Sequence, residues 1–376
     1  MFLQYKSGTR NPADQRSAHY AEYRVKHWVR LLAKLKPPTQ WLCVIASVVI
    51  AVLFLFVINS NAEYSELTKK MLDQLVMPLF YMGDPSKRIF WLYLFIAAVF
   101  SLFFVFVHHR RRLVRKPDTP LSTPNYRNQL FIELKHFTSW MFHREAGYDF
   151  SLMLSNSILK GLFILPIIGS QLALILGFSK ALQTQFGNAP NLHLPYWSVI
   201  ILFTFAFFLS EDGSRFWLHK QMHQRRWLWR FHKTHHSAST LTPLTLFRVH
   251  PVEMLLYYLR ATLVLTVVAG TFVYLFKGKV GGLEILGVDA LGFIFNSMLS
   301  NLRHSHLHVG FGKWEKLFIS PAQHQLHHSC NPLHFNRNYG SSLSCWDRLC
   351  GSFSRSSIED RDRERPWATA LKFGVR

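Results

Sequence analysis

Cysteine is scarce in this sequence. The 376 residues include four cysteines, Cys43, Cys330, Cys345 and Cys350, and no two of them form a Cys-x-x-Cys pair. This count excludes a disulfide framework and a thiolate metal site, and it fits a protein face in a reducing compartment. Any metal site in the chain must therefore be built from other side chains.

Negative charge is also in short supply. Asp and Glu number 21 against 43 Lys and Arg, which gives a formal net charge of +22, although charged residues make up only 17% of the chain. The basic residues flank apolar runs instead of forming one face, so we interpret their excess as attraction to anionic membrane lipids. The same distribution predicts that the protein has no nucleic-acid partner.

Long apolar runs are plentiful. Hydrophobic residues make up 49% of the chain, with 33 phenylalanines, and four runs approach the roughly 20 residues that cross about 30 Å of hydrocarbon. A fifth stretch, 254–276, is followed by a glycine-rich break and a return through 286–299, which predicts a membrane-dipping hairpin. We therefore expect an all-α integral membrane protein with about four transmembrane helices, a hairpin and a cytosolic helical cap. The four runs are 41–58, 89–107, 161–178 and 196–209.

The distribution of Lys and Arg predicts the orientation of these helices. Residues 1–40 and 108–150 carry eight basic residues each, whereas the 179–195 loop carries only Lys180. Because basic loops stay on the cytoplasmic side, we expect the N-terminus, the 108–150 loop and everything from Glu211 onward to be cytoplasmic.

The expected organisation follows from these patterns. The first forty residues are polar and basic, so we expect no cleavable signal peptide. The C-terminus carries no endoplasmic reticulum retrieval signal, which favours a bacterial inner membrane over the endoplasmic reticulum. We expect a basic amphipathic segment over 1–40, transmembrane helices over 41–210, a histidine-rich catalytic domain over 211–353, and a charged tail over 354–376.

Histidines cluster in the second half of the chain. Of the 20 histidines, 13 lie between His219 and His334. Residues three and four apart share a helix face, and neutral imidazole is well suited to hold Zn, Cu, Fe or Ni. Together the candidates exceed the four ligands of a tetrahedral zinc and suffice for two metals. Three boxes supply His219 and His223, then His232, His235 and His236, then His324, His327 and His328, and a further pair is His304 and His308.

The residues around these boxes resemble the fatty acid hydroxylase/sterol desaturase superfamily over about residues 205–353. Order, spacing and flanking residues all agree with it, although Phe216 stands where the family often has Tyr, His306 where many members have Asn or Gly, and Cys350 where Phe is common. The matching motifs are Asp212-x3-Phe216-Trp217-x-His219-Lys220-x2-His223, His232-Lys233-x-His235-His236, Arg248-Val-His250-Pro-Val-Glu253, His304-Ser-His306, Pro321-x2-His324-x2-His327-His328, Asn338-Tyr339-Gly340 and Trp346-Asp347-Arg348-Leu349-x-Gly351.

The resemblance implies a non-haem di-iron centre in a helical membrane protein. It implies that the ten histidines above are the metal ligands, that zinc can replace iron during purification, and that no catalytic residue is needed beyond the ligands. The implied reaction is the O2-dependent hydroxylation or desaturation of a C–H bond in a fatty acyl, sterol-like or related lipid. Since His250-Pro251 is followed by Val-Glu and not by the Gly-Gly of a cytochrome b5 haem loop, we expect an external donor such as a ferredoxin, cytochrome b5 or a pterin.

Six further residues are candidates for the surroundings of the metal site. Asp212 lies seven residues before His219 on the same helix face, where it would orient a ligand imidazole or cap the helix at the membrane exit. His250 is an alternative ligand, and the residues that follow the last box serve equally well in a structural turn. The six are Asp212, His250, Glu253, His306, Asn338 and Asp347.

Other functions remain open from the sequence. A non-catalytic membrane protein that binds zinc or acts as a scaffold is the main alternative. A zinc protease would need His-Glu-x-x-His, which no box contains. A metal transporter would place ionisable residues inside its spans, and a b-type cytochrome would place histidine pairs within facing spans.

Overall fold

In the structure, a computed structural model, the regular secondary structure of the described part of the chain is helical. That part contains no β-strand, and its only extended pairings are two isolated β-bridges. The predicted all-α fold is confirmed to this extent. The described residues are 80–84, 87, 89–100, 103, 144–164, 170–190, 192–276, 301–305, 307–356 and 372–374.

Several predicted segments lie outside the described residues. They are the basic N-terminal segment, the first apolar run, the break and return of the predicted hairpin, most of the C-terminal tail, and His306.

Eight α-helices are numbered here in chain order. A π-helical turn, Lys160–Ile164, follows α2, and three 3-10 helices connect the later elements at Pro243–Phe247, Gly312–Lys316 and Pro332–His334. The helices are α1 Trp91–Phe100, α2 Arg144–Leu159, α3 Gln171–Phe186, α4 Tyr196–Gln224, α5 Arg226–His236, α6 Pro251–Phe276, α7 Pro321–His328 and α8 Cys345–Leu349.

Two of the described helices, α4 and α6, are long and apolar enough to cross a membrane. Their 29 and 26 residues correspond to about 43 Å and 39 Å at 1.5 Å per residue, more than the about 30 Å of a hydrocarbon layer. Only 28% and 22% of their most apolar windows are buried, whereas a core helix of a soluble protein is mostly buried. Trp197, 72% exposed, and Leu263, 63% exposed, are among the large apolar side chains on their surfaces.

The predicted third span does not form a single helix. The apolar run 161–178 begins in the π-helical turn and ends inside α3, which starts afresh at Gln171. Ser170 caps this start by accepting a hydrogen bond from the Ala173 N–H at 3.4 Å. The described residues contain two candidate spans, and the first predicted run and the end of the second lie outside them.

Helices α3, α4 and α6 pack together around an apolar core. Ile175, Val199, Phe203 and Ala269 are buried at their meeting point. At Gly270 of α6, a Cβ atom would lie 3.0 Å from the Ile175 carbonyl oxygen and 2.8 Å from the ring of a neighbouring phenylalanine. The close approach of α3 and α6 therefore requires glycine at this position.

The first histidine box lies on the same helix as a candidate span. Helix α4 continues through the predicted boundary at 210/211 and carries His219 and His223 in its last two turns. It ends where Arg225 adopts an extended conformation (φ −96°, ψ 114°), after which α5 packs back against α4. Glu211 of α4 binds Arg260 of α6 through two bonds of 2.7 Å, which fixes the two helices side by side just before the box.

Candidate metal centre

Nine histidines form two adjacent clusters. Within each cluster, one ring nitrogen from every histidine lies within 4.8 Å of those of the others. The clusters adjoin where the rings of His236 and His328 stack with centroids 4.4 Å apart. The first cluster contains His219, His223, His232, His236 and His327, and the second contains His235, His304, His324 and His328.

Three rings of the first cluster are held from behind through Nδ1. His219 donates to the Tyr339 carbonyl oxygen at 2.8 Å, His327 donates to the Arg337 carbonyl oxygen at 2.8 Å, and His232 donates to Oε1 of Glu253 at 2.7 Å. A neutral imidazole with a proton on Nδ1 presents a lone pair at Nε2. All three rings therefore offer Nε2 to the interior of the cluster. Metal-binding histidines are held in the same way, by a partner that accepts the proton of the other ring nitrogen.

The interior of the first cluster fits a cation. Nε2 of His219 and Nε2 of His232 face each other at 3.1 Å, yet neither carries a proton to share. The Nε2 atoms of His223, His236 and His327 are buried and have no hydrogen-bond partner among the described residues. A cation bound at this point would satisfy the lone pairs of the converging imidazoles.

The second cluster converges in the same way. Nε2 of His324 lies 3.2 Å from Nε2 of His304 and 3.2 Å from Nε2 of His328. His235 contributes from α5, with its ring centroid 4.7 Å from that of His328.

Burial keeps the clustered imidazoles neutral. It lowers the pKa of His232 to about 3 and, together with the charge of His232, lowers the pKa of His235 to about 4. Burial first and neighbouring imidazoles second lower the pKa values of His236, His327 and His328 well below the usual range. The rings are therefore unprotonated at neutral pH, which is the form that binds metals.

Helix α7 is fixed at its N-terminus and along one side. Ser320 caps it by accepting a bond from the Gln323 N–H at 3.1 Å, and the Gln323 side chain accepts one from the Ser320 N–H at 3.0 Å. Gln325 donates to the carbonyl oxygens of Ser305 and Leu307 at 3.0 Å and 2.7 Å. The last contacts attach the segment that carries His304 to the helix that carries His324.

Two buried aspartates shape the turn that holds Tyr339. Asp347 accepts bonds from the N–H groups of Tyr339 and Gly340 at 2.8 Å each. Asp212 accepts bonds from the N–H groups of Ser342 and Leu343 at 2.8 Å and 3.1 Å. Asp212 thus joins α4 to this turn and does not contact an imidazole directly.

The other predicted neighbours of the site have distinct positions. Glu253 contacts a clustered histidine, as described above. His250 accepts a bond from the Val252 N–H at 3.2 Å at the start of α6, and Asn338 bonds the backbone at Gln323; neither contacts a cluster. His308 is fully buried but belongs to neither cluster.

The carbonyl groups of Tyr339 and Arg337 were not predicted as partners of the site. Backbone acceptors leave no signature in side-chain identity, although Tyr339 lies in the Asn338-Tyr339-Gly340 motif. Its ring also covers the first cluster, with centroids 5.1 Å from His223 and 5.7 Å from His219.

A cavity of about 460 Å³ reaches both clusters. Its walls include His219 and His232 of the first cluster and His235, His304 and His324 of the second. Apolar side chains form another part of the wall, and basic residues are also present. The apolar residues are Met153, Leu246, Phe247, Val249, Met254 and Tyr257, and the basic ones are Lys87, Lys160, Arg215 and Arg303.

Comparison with known proteins agrees with this geometry. Residues 204–352 match the family model described as fatty acid hydroxylase. Alkylglycerol monooxygenase of Xenopus tropicalis is 27% identical over 146 residues, which cover 39% of this chain and 29% of that protein. Ornithine lipid hydroxylase OlsE of Rhizobium tropici is 28% identical over 196 residues, covering 49% and 53%. Lathosterol oxidase of Rattus norvegicus is 25% identical over 224 residues, covering 56% and 67%.

The chain spans between 29% and 53% of the first three relatives that it matches. No solved structure matches it. The family predicted from the histidine boxes is nevertheless confirmed by the family model and by these relatives, and its members named above are oxidoreductases. Residues 204–352 are thus similar in sequence to the fatty acid hydroxylase/sterol desaturase superfamily.

Proposed function

We propose that the protein is a membrane oxidoreductase that uses O2 to hydroxylate or desaturate a C–H bond of a lipid. The observation that carries this proposal is the pair of buried histidine clusters on the wall of one cavity. The named relatives act on alkylglycerols, an ornithine lipid and lathosterol, which are all lipids.

The two clusters provide the ligands for two iron ions, with His219, His223, His232, His236 and His327 on one and His235, His304, His324 and His328 on the other. Bound iron would supply the electrons and the open coordination needed to activate O2 for attack on an unactivated C–H bond. His308, predicted as a tenth ligand, is not part of this assignment.

The protein's own residues hold the ligands and keep water out. Glu253, Tyr339 and Arg337 fix three rings of the first cluster through Nδ1, so the ligands are arranged before the metals bind. His232 is 2% and His328 1% exposed. A dry, rigid site of this kind strengthens electrostatic interactions and protects reactive species from side reactions.

The cavity wall explains how a lipid would reach the clusters. Phe247, Met254 and Tyr257 line it together with the histidines, and its volume lies within the about 300–1,000 Å³ of small-molecule sites. An alkyl chain or ring that fills the apolar part is held against both clusters. We infer that the position of the carbon nearest the clusters decides which C–H bond reacts.

Membrane insertion through α4 and α6 is part of the proposal. Their exposed apolar surfaces would face lipid, and Tyr196 and Trp197 would lie at one interface, where aromatic residues are enriched. The distribution of basic residues in the sequence supports a cytoplasmic position for the histidine clusters. Because the reaction consumes two external electrons, we also propose an electron-transfer partner.

Metal analysis of the detergent-purified full chain tests the proposal. We expect about two irons per chain in wild type and loss of metal in the double variant His235→Ala/His327→Ala, which removes one ligand from each cluster. His193→Ala, which changes an exposed histidine before α4, should keep both irons. The wild type, supplied with O2 and a reductant, should oxidise a lipid.

Two results would contradict the proposal. A folded wild-type protein that takes up no iron when it is offered anaerobically would exclude the di-iron centre. Zinc binding with no O2-dependent turnover after reconstitution with iron would favour a zinc-binding or scaffold protein.

A further inference from the structure

Arg303 is a buried cation on the wall of the cavity, one residue before His304 of the second cluster. It is 5% exposed. Its Nε and Nη2 atoms have no hydrogen-bond partner in the part of the chain that the structure describes. A buried guanidinium that loses its water and gains no partner is strongly unfavourable. An anion bound in the cavity would supply the missing partner for this charge.

Two other cations of the cavity have carboxylate neighbours, and Lys160 lies over the Tyr258 ring, with its Nζ 5.2 Å from the ring centroid. Arg215 binds Glu211 at 2.5 Å, and Lys87 binds Asp84 at 3.4 Å. Arg303 forms no ion pair within the described residues. Among these cations, the guanidinium of Arg303 is the one that is both buried and left with unpaired donors in the described residues, so it requires an anionic partner.

Asp212, an acid that interacts electrostatically with Arg303, does not serve as this partner. Its Oδ1 accepts from the Ser342 N–H, and its Oδ2 accepts from the Leu343 N–H and the Trp346 indole N–H at 2.9 Å. An arginine side chain keeps its proton in proteins, so the guanidinium of Arg303 carries a positive charge at neutral pH.

The rest of the wall indicates which anion fits. Leu246, Phe247 and Met254 line the same cavity. A ligand that contacts both these apolar side chains and Arg303 therefore has an apolar body and a negatively charged end. Guanidinium binds carboxylate and phosphate oxygens through paired N–H donors. We propose that Arg303 binds the anionic headgroup, a carboxylate or phosphate oxyanion, of the lipid substrate and so holds that headgroup beside the second histidine cluster. This inference rests on the proposed function, since it names the class of lipid that the site takes.

Binding measurements without turnover test the inference. The full chain in neutral detergent is titrated anaerobically, without an electron donor, with hexadecyl phosphate, hexadecanoate, hexadecanol and inorganic phosphate. We expect the wild type to bind an anionic amphiphile at least tenfold more tightly than hexadecanol, as a charge-assisted hydrogen bond predicts. Arg303→Gln should lose this preference, and Arg303→Lys should keep part of it.

Two controls separate the role of Arg303 from general effects. Arg230→Gln removes one exposed positive charge of α5 and should bind like wild type. Because Arg303→Gln removes an unpaired buried charge, the lipid-free variant should unfold at no lower temperature than wild type. If Arg303→Gln fails to fold, the affinities of Arg303→Lys for the anionic and neutral amphiphiles are compared with those of wild type instead.

Three outcomes would overturn the inference. One is equal affinity of the wild type for hexadecanol and hexadecyl phosphate, and another is an anionic preference that survives in Arg303→Gln. The third is Arg303-dependent binding of inorganic phosphate as tight as that of hexadecyl phosphate, which would identify a free anion instead of a lipid headgroup. None of these readings depends on iron or turnover, so a failure here is distinguishable from a failure of the proposed oxidation.

Discussion

Glu253 provides the sharpest test of how the protein supports the first histidine cluster. Its Oε1 accepts the Nδ1 proton of His232 at 2.7 Å, and both side chains are 3% exposed. Loss of such a partner typically lowers metal affinity about 10- to 100-fold, which corresponds to about 1.4–2.7 kcal/mol. We expect Glu253→Gln, which keeps an acceptor oxygen but no charge, near the lower end and Glu253→Leu near the upper end.

Anaerobic competition of Fe(II) between the purified protein and a chelator measures this affinity. Glu211→Gln is the matched control, because Glu211 is a buried acid on α4 that binds Arg260 and no histidine. It should lower the thermal stability and leave iron affinity unchanged. An affinity of Glu253→Leu within twofold of wild type would refute the idea that this carboxylate orients His232.

Two further predictions concern packing and the turn behind the first cluster. Gly270→Ala places a Cβ atom 2.8 Å from the Phe178 ring and should lower the free energy of unfolding by about 1–3 kcal/mol. Gly177→Ala, with nothing within 4 Å of its Cβ, should raise the free energy of unfolding by about 0.5–1 kcal/mol. Thermal unfolding in detergent distinguishes the two variants, and equal effects would contradict the packing of α3 on α6. Asp347→Ala removes the acceptor for the Tyr339 N–H, so the Tyr339 carbonyl group that holds His219 should be less well positioned. Iron binding, measured by chelator competition, should weaken about tenfold. Unchanged affinity would mean that the turn keeps its shape without the carboxylate.

Much of the candidate site could be predicted from sequence because its signals are local. Spacings of three and four residues on a helix identify the histidine boxes, and uncharged runs identify apolar helices. The third predicted span was harder to predict, because 161–178 is one uncharged apolar run although a capped helix begins within it at Gln171. Backbone partners such as the Tyr339 carbonyl group could not be predicted from sequence, since every residue has a carbonyl group.

The sequence by itself determined that the second half of this chain carries enough neutral imidazoles for two metals. Periodicity also determined that His232 and His236 share one face of their helix and that His324 and His328 share another. Only the tertiary structure decided that His235 leaves its own box to join the second cluster and that His327 joins the first. The reason is physical: neighbouring helix positions point about 100° apart, so the second and third boxes, which each contain two adjacent histidines, face two directions. The packing of α4, α5 and α7 selects the partners that each direction meets.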